Sequence, residues 1–341
     1  MSASRDFLVE IGTEELPPRS LLNLSAAFAE GVARGLKDAG VAYKSLEAFA
    51  TPRRLAVRVR KLIEQQPDRP LEKRGPPVKA AFDVNGAPTQ AAVAFARGCG
   101  VDVSALEKIE TPKGEWLVFR GTETGARTVD LLPAIVTAAL EALPIARRMR
   151  WGAGEALFVR PVHWVLMLWG KDVVQTEILG QQAGNLTYGH RFMAPKALKV
   201  SSPASYHGTL LKRGKVMADV NERRDSIRAA ARRDGIAVID DALLDEVTGL
   251  VEWPVPLAGR FDPQFLELPA EVLIATMQEH QRYFPVRDAQ GKLMPWFITV
   301  ANIESRDPSQ VIAGNERVVR PRLTDAAFFY RTDRQHPLET Q

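Results

Sequence analysis

The chain has 341 residues, of which 45% are apolar and 25% are charged, as expected for a soluble globular protein with two or three domains. Its net charge is +4, from 45 Lys and Arg and 41 Asp and Glu residues, which alone is a weak indication of a nucleic-acid partner. Cys99 is the only cysteine, no apolar run approaches the ~18 residues of a membrane span, and we expect no secretory signal, so the composition excludes disulfides and favours a cytoplasmic location without membrane attachment.

Residues 1–63 predict an α+β segment. Its elements are a strand, a helix and two further strands, at residues 7–11, 21–36, 45–50 and 54–61. In the last strand Leu55, Val57 and Val59 alternate with arginine, so we expect an apolar face on the core and a basic face outward. The outward face then holds three arginines, namely Arg54, Arg58 and Arg60.

Residues 64–88 are rich in proline, glycine and charge, and they predict a long irregular connection. The following elements are predicted as a helix, a hairpin and a second helix, at residues 89–98, 107–122 and 131–143. The hairpin is expected to turn at residues 112–114. We therefore predict an inserted helical and hairpin subdomain over residues 64–146.

The densest apolar run of the chain spans residues 157–170 and predicts a central strand that is buried on both faces. Proline cannot donate a hydrogen bond to a sheet, so Pro161 is expected at the start of this strand or at a bulge. Either position would turn Arg160 and His163 toward a rim of the sheet.

Residues 147–341 are predicted as an α+β core with basic helices. Beyond the central strand we expect a hairpin at 173–179, helices at 206–211, 220–233, 241–250, 269–283 and 324–331, and strands at 283–287 and 296–301. The predicted fold class is α+β, with mixed but mainly antiparallel sheets, packed helices and more than one subdomain.

The sequence lacks the patterns of a catalytic or metal centre. Its five histidines do not have helical metal-ligand spacing, and it contains neither a phosphate-binding glycine loop nor a nucleophile elbow. We therefore predict no catalytic residues and no metal site in this chain. Glu14 and Glu15 open a predicted helix, where capping of its positive end is the expected role.

Arginine and histidine interleaved with aromatic residues form the remaining chemical signal. Guanidinium groups bind phosphate through two hydrogen bonds, and rings stack on unpaired bases, which is the combination that single-stranded RNA requires. The candidate RNA-binding residues are Arg53, Arg54, Arg150, Trp151, Arg160, His163, His190, Arg191, His280 and Arg282. In the alternative interpretation, the arginines form internal ion pairs or solvated faces and the aromatic residues belong to the core.

Eight segments, in the same order along the chain, resemble the β subunit of bacterial tetrameric glycyl-tRNA synthetase. They are LVEIGTEELPP (8–18), TPRRLA (51–56), MRWG (149–152), FVRPVHW (158–164), GHRF (189–192), EVTGLVEWP (246–254), HQRYF (280–284) and GNERV (314–318). The resemblance covers essentially the whole chain and implies that the chain is the N-terminal half of such a subunit.

The resemblance also implies an α2β2 enzyme that attaches glycine to its tRNA, with ATP and Mg²⁺ used at the catalytic α subunit. The β subunit would supply tRNA binding and docking to the α subunit. This chain alone would then be inactive and would bind no cofactor. The family's HD-type and anticodon-binding domains lie in the later half of the subunit, so we expect them to be absent from these residues.

Two alternatives remain open. One is a hydrolytic editing domain that acts on mischarged tRNA. Deacylation of Ala-tRNA would support this alternative if His163→Ala abolished the reaction. Because glycine has no side chain, exclusion of larger amino acids lowers the need for such editing. The other is an assembly scaffold without RNA contact, for which tRNA retention would not respond to salt.

Overall fold

The structure is a computed structural model that describes residues 3–83, 85–112, 114–230, 236–237 and 239–335. The described residues divide into two compact units. The first comprises Ala3, Lys37–Ala42 and Ile63–Leu132, and the second comprises Ser4–Leu36, Tyr43–Leu62 and the residues from Pro133 onward. The predicted division into 1–63, 64–146 and 147–341 stays a prediction.

The strands within the described ranges are β1 Ser4–Thr13, β2 Ser45–Thr51, β3 Arg54–Ile63, β4 Arg69–Pro77, β5 Glu107–Thr111, β6 Gly114–Glu123, β7 Val162–Trp169, β8 Asp172–Val173, β9 Glu177–Ile178, β10 Gln181–Gly184, β11 Leu186–Tyr188, β12 Ala197–Lys199, β13 Ile236–Ala237, β14 Val255–Arg260, β15 Phe284–Arg287 and β16 Leu293–Ala301. The α-helices are α1 Leu21–Asp38, α2 Val78–Ala81, α3 Gln90–Cys99, α4 Thr128–Glu141, α5 Tyr206–Thr209, α6 Val220–Ala230, α7 Asp241–Thr248, α8 Ala270–Ala275 and α9 Pro308–Asp333. Short 3-10 turns and two π-helical turns, Leu210–Gly214 and Thr276–His280, complete the described elements.

The first unit contains a three-stranded antiparallel sheet in the order β4–β6–β5. The predicted hairpin is confirmed, although Lys113 of its turn lies outside the described residues. The prediction of an irregular connection over residues 64–88 is wrong where β4 and α2 form. Strand β4 lies at the edge of the sheet, which tolerates Pro70, Pro76 and Pro77, and its pairing uses backbone groups of β6 that no residue pattern reveals.

The second unit contains a seven-stranded sheet in the order β2–β3–β1–β7–β10–β9, with β8 also pairing with β7. Strand β7 is antiparallel to β1 and parallel to β10, and seven of its eight residues are buried. The predicted central strand is therefore confirmed, and it begins directly after Pro161. The predicted hairpin at residues 173–179 is limited to Asp172–Val173 on β7, because β9 pairs with β10 instead.

A second sheet of this unit has the order β13–β15–β16–β14 and is antiparallel throughout. One side of its core contains Phe297, Tyr283 and Leu323, the last from α9, which extends well beyond the predicted helix at residues 324–331. Asp240 caps α7 by accepting hydrogen bonds from the amides of Ala242 and Leu243. Helix α6 is described to Ala230, and the last three residues of the predicted helix 220–233 lie outside the described residues.

The predicted fold class is confirmed, because helices pack with mainly antiparallel sheets and the β7–β10 pair is the parallel exception in the described ranges. No described helix is both long and apolar enough to cross a membrane.

Candidate nucleic-acid interface

Backbone hydrogen bonds bring the ends of three strands together at one edge of the seven-stranded sheet. The amide of Thr13 donates to the carbonyl of Arg53 at 2.9 Å, and the amide of Glu14 donates to the carbonyl of Pro161 at 3.0 Å. The end of β1 therefore lies between the β2–β3 turn and the start of β7. We call the six charged or titratable side chains at this edge the rim, namely Glu14, Glu15, Arg53, Arg160, His163 and Arg191.

Glu14 is the acceptor around which the rim is arranged. Its carboxylate lies 2.9 Å from Nε2 of His163 and 2.5 Å from Nη2 of Arg191, and Arg191 also lies 3.3 Å from Glu15. Because a carboxylate only accepts, the hydrogen bond places the His163 proton on Nε2. The predicted capping role is wrong, since no side chain caps the following 3-10 turn and Glu14 pairs with charged donors from other segments.

The pKa of Glu14 lies below its ordinary value. Partial burial alone would raise this pKa, but the hydrogen bonds and charges of Arg191 and His163 outweigh burial and stabilise the carboxylate. A depressed folded-state pKa contributes stability above the unfolded-state pKa, and this contribution is lost as the pH falls through the folded value. Because Glu14 is 37% exposed, solvent screening keeps the contribution small.

Replacing Arg191 by glutamine is expected to raise the pKa of Glu14 toward its ordinary value of 4.5, because the substitution removes the larger of the two opposing cationic partners. The measurement is an NMR pH titration of the Glu14 side chain in the original and substituted chains. Arg331→Gln, on α9, is the matched control and should leave the titration unchanged. An unchanged Glu14 titration in the Arg191→Gln variant would show that the ion pair does not form in solution.

Arg160 and Arg53 complete the basic side of the rim. Arg160 is exposed and uses only Nε, at 3.0 Å from the Glu15 carbonyl, among the hydrogen bonds of the described residues. Arg53 is half-buried with its guanidinium 5.8 Å from the centre of the Trp164 ring, and its Nε has no partner in the described part of the chain. Burial lowers the pKa of Arg53, and the positive charges of Arg191 and Arg54 act in the same direction.

A buried polar network lies behind the rim and is centred on Glu10. The Glu10 carboxylate accepts from Trp164 Nε1 at 2.5 Å, from Thr187 at 2.6 Å and from the hydroxyl of Tyr206. Burial raises the pKa of Tyr206, and the neighbouring Glu10 charge raises it further. The phenol therefore stays protonated as a donor, and each of these groups is satisfied away from water.

Arg54 belongs to this network, so its predicted outward position is wrong. It is fully buried and donates to Glu252 at 3.1 Å, to Glu10 at 3.4 Å and to three further oxygens. Burial alone would lower the pKa of Arg54, but the two carboxylates outweigh it and raise the pKa above the ordinary value. A buried and fully paired guanidinium has no surface for RNA, and Arg58 is also buried, against Glu47.

His190 is likewise buried, at 1% exposure, so its ring is not presented to solvent. Its Nδ1 accepts the amides of Phe192 at 3.3 Å and Met193 at 3.2 Å. The imidazole therefore organises the turn that carries Arg191, instead of lying on the surface.

The remaining candidates lie outside the rim. Arg150 is exposed and pairs with Glu155 at 3.1 Å, and the neighbouring Trp151 is partly exposed. His280 is exposed, whereas Arg282 is partly buried and donates to Glu246 at 2.9 Å. Within the described ranges, no polar contact of these four residues reaches the rim.

Sequence reasoning missed Glu10, Glu14 and Glu252 as organising residues. A signal for Glu10 existed, because a carboxylate within a strand buried on both faces must have buried partners. No comparable signal existed for Glu252, whose partners Thr51 and Arg54 lie far from it in sequence. Among the described residues, no group of three or more His, Cys, Asp or Glu side chains could hold a metal ion.

The proteins that the chain resembles are subunits of aminoacyl-tRNA synthetases. Residues 7–341 match the family model described as glycyl-tRNA synthetase beta subunit, and the chain belongs to this family.

Individual relatives agree with this assignment. The chain is 56% identical to the glycine–tRNA ligase beta subunit of Marinobacter nauticus over 99% of the chain and 50% of that protein. It is 55% identical to the same subunit of Hahella chejuensis, covering 99% of the chain and 49% of that protein, and 54% identical to that of Chromohalobacter salexigens, covering 99% and 50%. The chain thus spans about half the length of these curated relatives.

Proposed function

We propose that the chain supplies a tRNA-binding surface and a docking surface for the α subunit within a glycine–tRNA ligase. In the proposed α2β2 enzyme, the α subunit uses ATP and Mg²⁺ to form glycyl-tRNA, and this part of the β subunit positions the tRNA. The proposed location is the cytoplasm.

The observation that carries the tRNA-binding proposal is the convergence of three arginines and one histidine on the rim. The arginines outnumber the rim carboxylates by three to two, which leaves a net charge of +1 before His163 is counted. Arg160 has both terminal nitrogens open among the described hydrogen bonds, in the geometry that binds a phosphate through two hydrogen bonds.

The rim favours binding over hydrolysis. An exposed His163 beside Glu14 superficially resembles an acid–base pair that could hydrolyse mischarged tRNA. However, Arg191 shares the same carboxylate and helps to keep the pKa of Glu14 below its ordinary value. A general base works best with a pKa near the working pH, so this carboxylate is a poor one.

Replacing Arg160 by glutamine tests the proposal. We expect weaker binding of glycine tRNA. The slope of the logarithm of the binding constant against the logarithm of the salt concentration is negative, and we expect its magnitude to decrease by roughly 0.7–0.9 because one phosphate contact is lost. The measurement is filter binding of the tRNA to the full 341-residue chain over a salt series, with and without the α subunit.

The matched control is Arg331→Gln, which removes the same charge from α9, an element that contributes nothing to the rim. This control should leave the slope unchanged. Equal slopes for the original chain and the Arg160→Gln variant would refute the assignment of the rim to tRNA phosphates. A chain that shows no salt response at all would instead be an assembly scaffold.

A further inference from the structure

The turn between β11 and β12 presents an aromatic ring to solvent beside the rim. Phe192 exposes 74% of its surface, although a phenyl ring would be stabilised by burial. The residue directly before it is Arg191, whose guanidinium contacts Glu14 and Glu15 on the rim. An isolated exposed ring needs no explanation by itself, so the inference depends on how the turn holds this one.

A buried histidine fixes the direction of the turn. The Nδ1 atom of His190 accepts the amides of both Phe192 and Met193, and the His190 amide donates to the Gly214 carbonyl at 2.7 Å. The amide of Ala194 closes the turn on the His190 carbonyl at 2.9 Å. These hydrogen bonds fix the backbone at Phe192, which lowers the conformational entropy that would be lost when a partner binds.

Close backbone packing adds a second constraint on the turn. A Cβ atom on Gly189 would lie 2.5 Å from the Ala194 carbonyl oxygen and 2.7 Å from that of Gly214. Glycine is therefore required where the turn meets the π-helical segment Leu210–Gly214. The backbone that precedes the exposed Phe192 ring is thus tightly packed at Gly189.

We propose that Phe192 is a stacking platform for an unpaired base at the 3′ end of tRNA, while the adjacent rim contacts the phosphates. This proposal rests on the proposed function, because it requires that the rim binds tRNA. A phenyl ring stacks on any base that has a free face, whereas bases inside a duplex already stack on their neighbours. The ring has no hydrogen-bonding group, so it would recognise an unpaired base without selecting its identity.

The structure favours RNA over a protein partner for this ring. A protein-binding site is normally centred on several exposed apolar side chains, whereas Met193 and Ala194 after the ring are partly buried and Arg191 before it donates to the Glu14 carboxylate. Consecutive aromatic and guanidinium groups instead match one base and the neighbouring phosphate of a single strand.

The test is a cycle that pairs Phe192→Leu with removal of single bases from glycine tRNA. The probes are the intact transcript and three transcripts with an abasic site at one nucleotide of the terminal CCA, bound to the full 341-residue chain. We expect Phe192→Leu to weaken binding of the intact transcript by roughly 5- to 150-fold, the range for loss of base–aromatic stacking. When the base that stacks on Phe192 is the one removed, Phe192→Leu should weaken tRNA binding little further. The Phe192→Trp variant should bind the intact transcript at least as tightly as the original chain.

Two outcomes would overturn the proposal. Equal losses on the intact transcript and on all three abasic transcripts would show that the ring does not stack on a terminal base. Unchanged tRNA binding with weakened association of the α subunit would assign the ring to protein docking. Neither result depends on the salt-slope test of Arg160, because Phe192→Leu removes no charge, so failure of stacking can be distinguished from failure of tRNA binding.

The positioning role of His190 has its own readout. His190→Asn retains an acceptor near the Nδ1 position and should preserve the stacking-dependent part of tRNA binding. His190→Gln moves the acceptor toward the Nε2 position and should lose that part in the same cycle. Equal stacking in the two variants would show that the imidazole does not orient Phe192, and thermal unfolding of both reports any general loss of fold.

Discussion

Replacing Arg54 by methionine is expected to lower the free energy of unfolding by roughly 3–5 kcal/mol, the range for removing one partner of a buried ion pair. The guanidinium is fully buried and bonds to Glu10 and Glu252. Methionine fills part of the volume but leaves both carboxylates in the interior without their cation. Urea unfolding followed by tryptophan fluorescence is a suitable measurement, because Trp164 also donates to Glu10.

Arg60→Met on the same strand is the matched control. Arg60 is 47% exposed and lies 3.7 Å from Glu47, so its removal should cost less than about 1 kcal/mol. Both substitutions delete one positive charge from β3, and they differ in the burial of the deleted group. Equal losses of stability would contradict the conclusion that the Glu10 network holds this part of the sheet together.

The contrast between these two arginines shows where sequence reasoning ends. Local alternation predicts β3 correctly, but it gives Arg54 and Arg60 the same outward position. Their different environments depend on Glu10 and Glu252, which reach Arg54 only after β1 and the loop before β14 have packed. The periodicity of a strand indicates which residues lie on the same face of the sheet. It contains no information about carboxylates from distant parts of the chain that pack against that face.

Elements that depend on their own residues were predictable. The apolar positions of α1 from Leu21 to Leu36 are buried as their spacing predicts, and β7 begins directly after Pro161 because proline cannot join the ladder. Strand β4 was missed because its residues are largely exposed and its pairing uses backbone groups of β6. Its edge position removes the apolar pattern on which a strand prediction depends.

The candidate site was predictable in composition and only partly in geometry. Pro161 correctly indicated that Arg160 and His163 would lie at a rim. The sequence contained no indication that Glu14 would join His163 to Arg191, because this contact depends on the β1–β7 register. It also did not separate His190, which is buried, from its exposed neighbour Phe192. Which side chains of this turn are buried and which are exposed depends on the backbone hydrogen bonds to the His190 imidazole, which the sequence does not reveal.

Replacing Gly12 by alanine is the second substitution for which we expect a large loss of stability. Gly12 lies opposite Trp164 in the β1–β7 pairing, and a Cβ atom at this position would overlap the six-membered part of the indole ring. Overpacking of this kind destabilises by roughly 1–3 kcal/mol. Displacing the ring would also break its 2.5 Å hydrogen bond to Glu10, which adds roughly 1–3 kcal/mol for an unsatisfied buried acceptor.

A double-mutant cycle with Trp164→Phe isolates the overlap from the other effects of alanine. Phenylalanine has a smaller ring than the indole, so Gly12→Ala should cost less in the Trp164→Phe background, with a coupling of roughly 0.5–3 kcal/mol measured by urea unfolding. Gly208→Ala in α5 is the matched control, because no atom lies within 4 Å of its added Cβ. Alanine is the better helix former by about 0.5–1 kcal/mol, so this control should be neutral or slightly stabilising. Additive losses in the cycle would show that the indole does not occupy the space above Gly12, and the link between the β1–β7 register and the buried Glu10 network would then be lost.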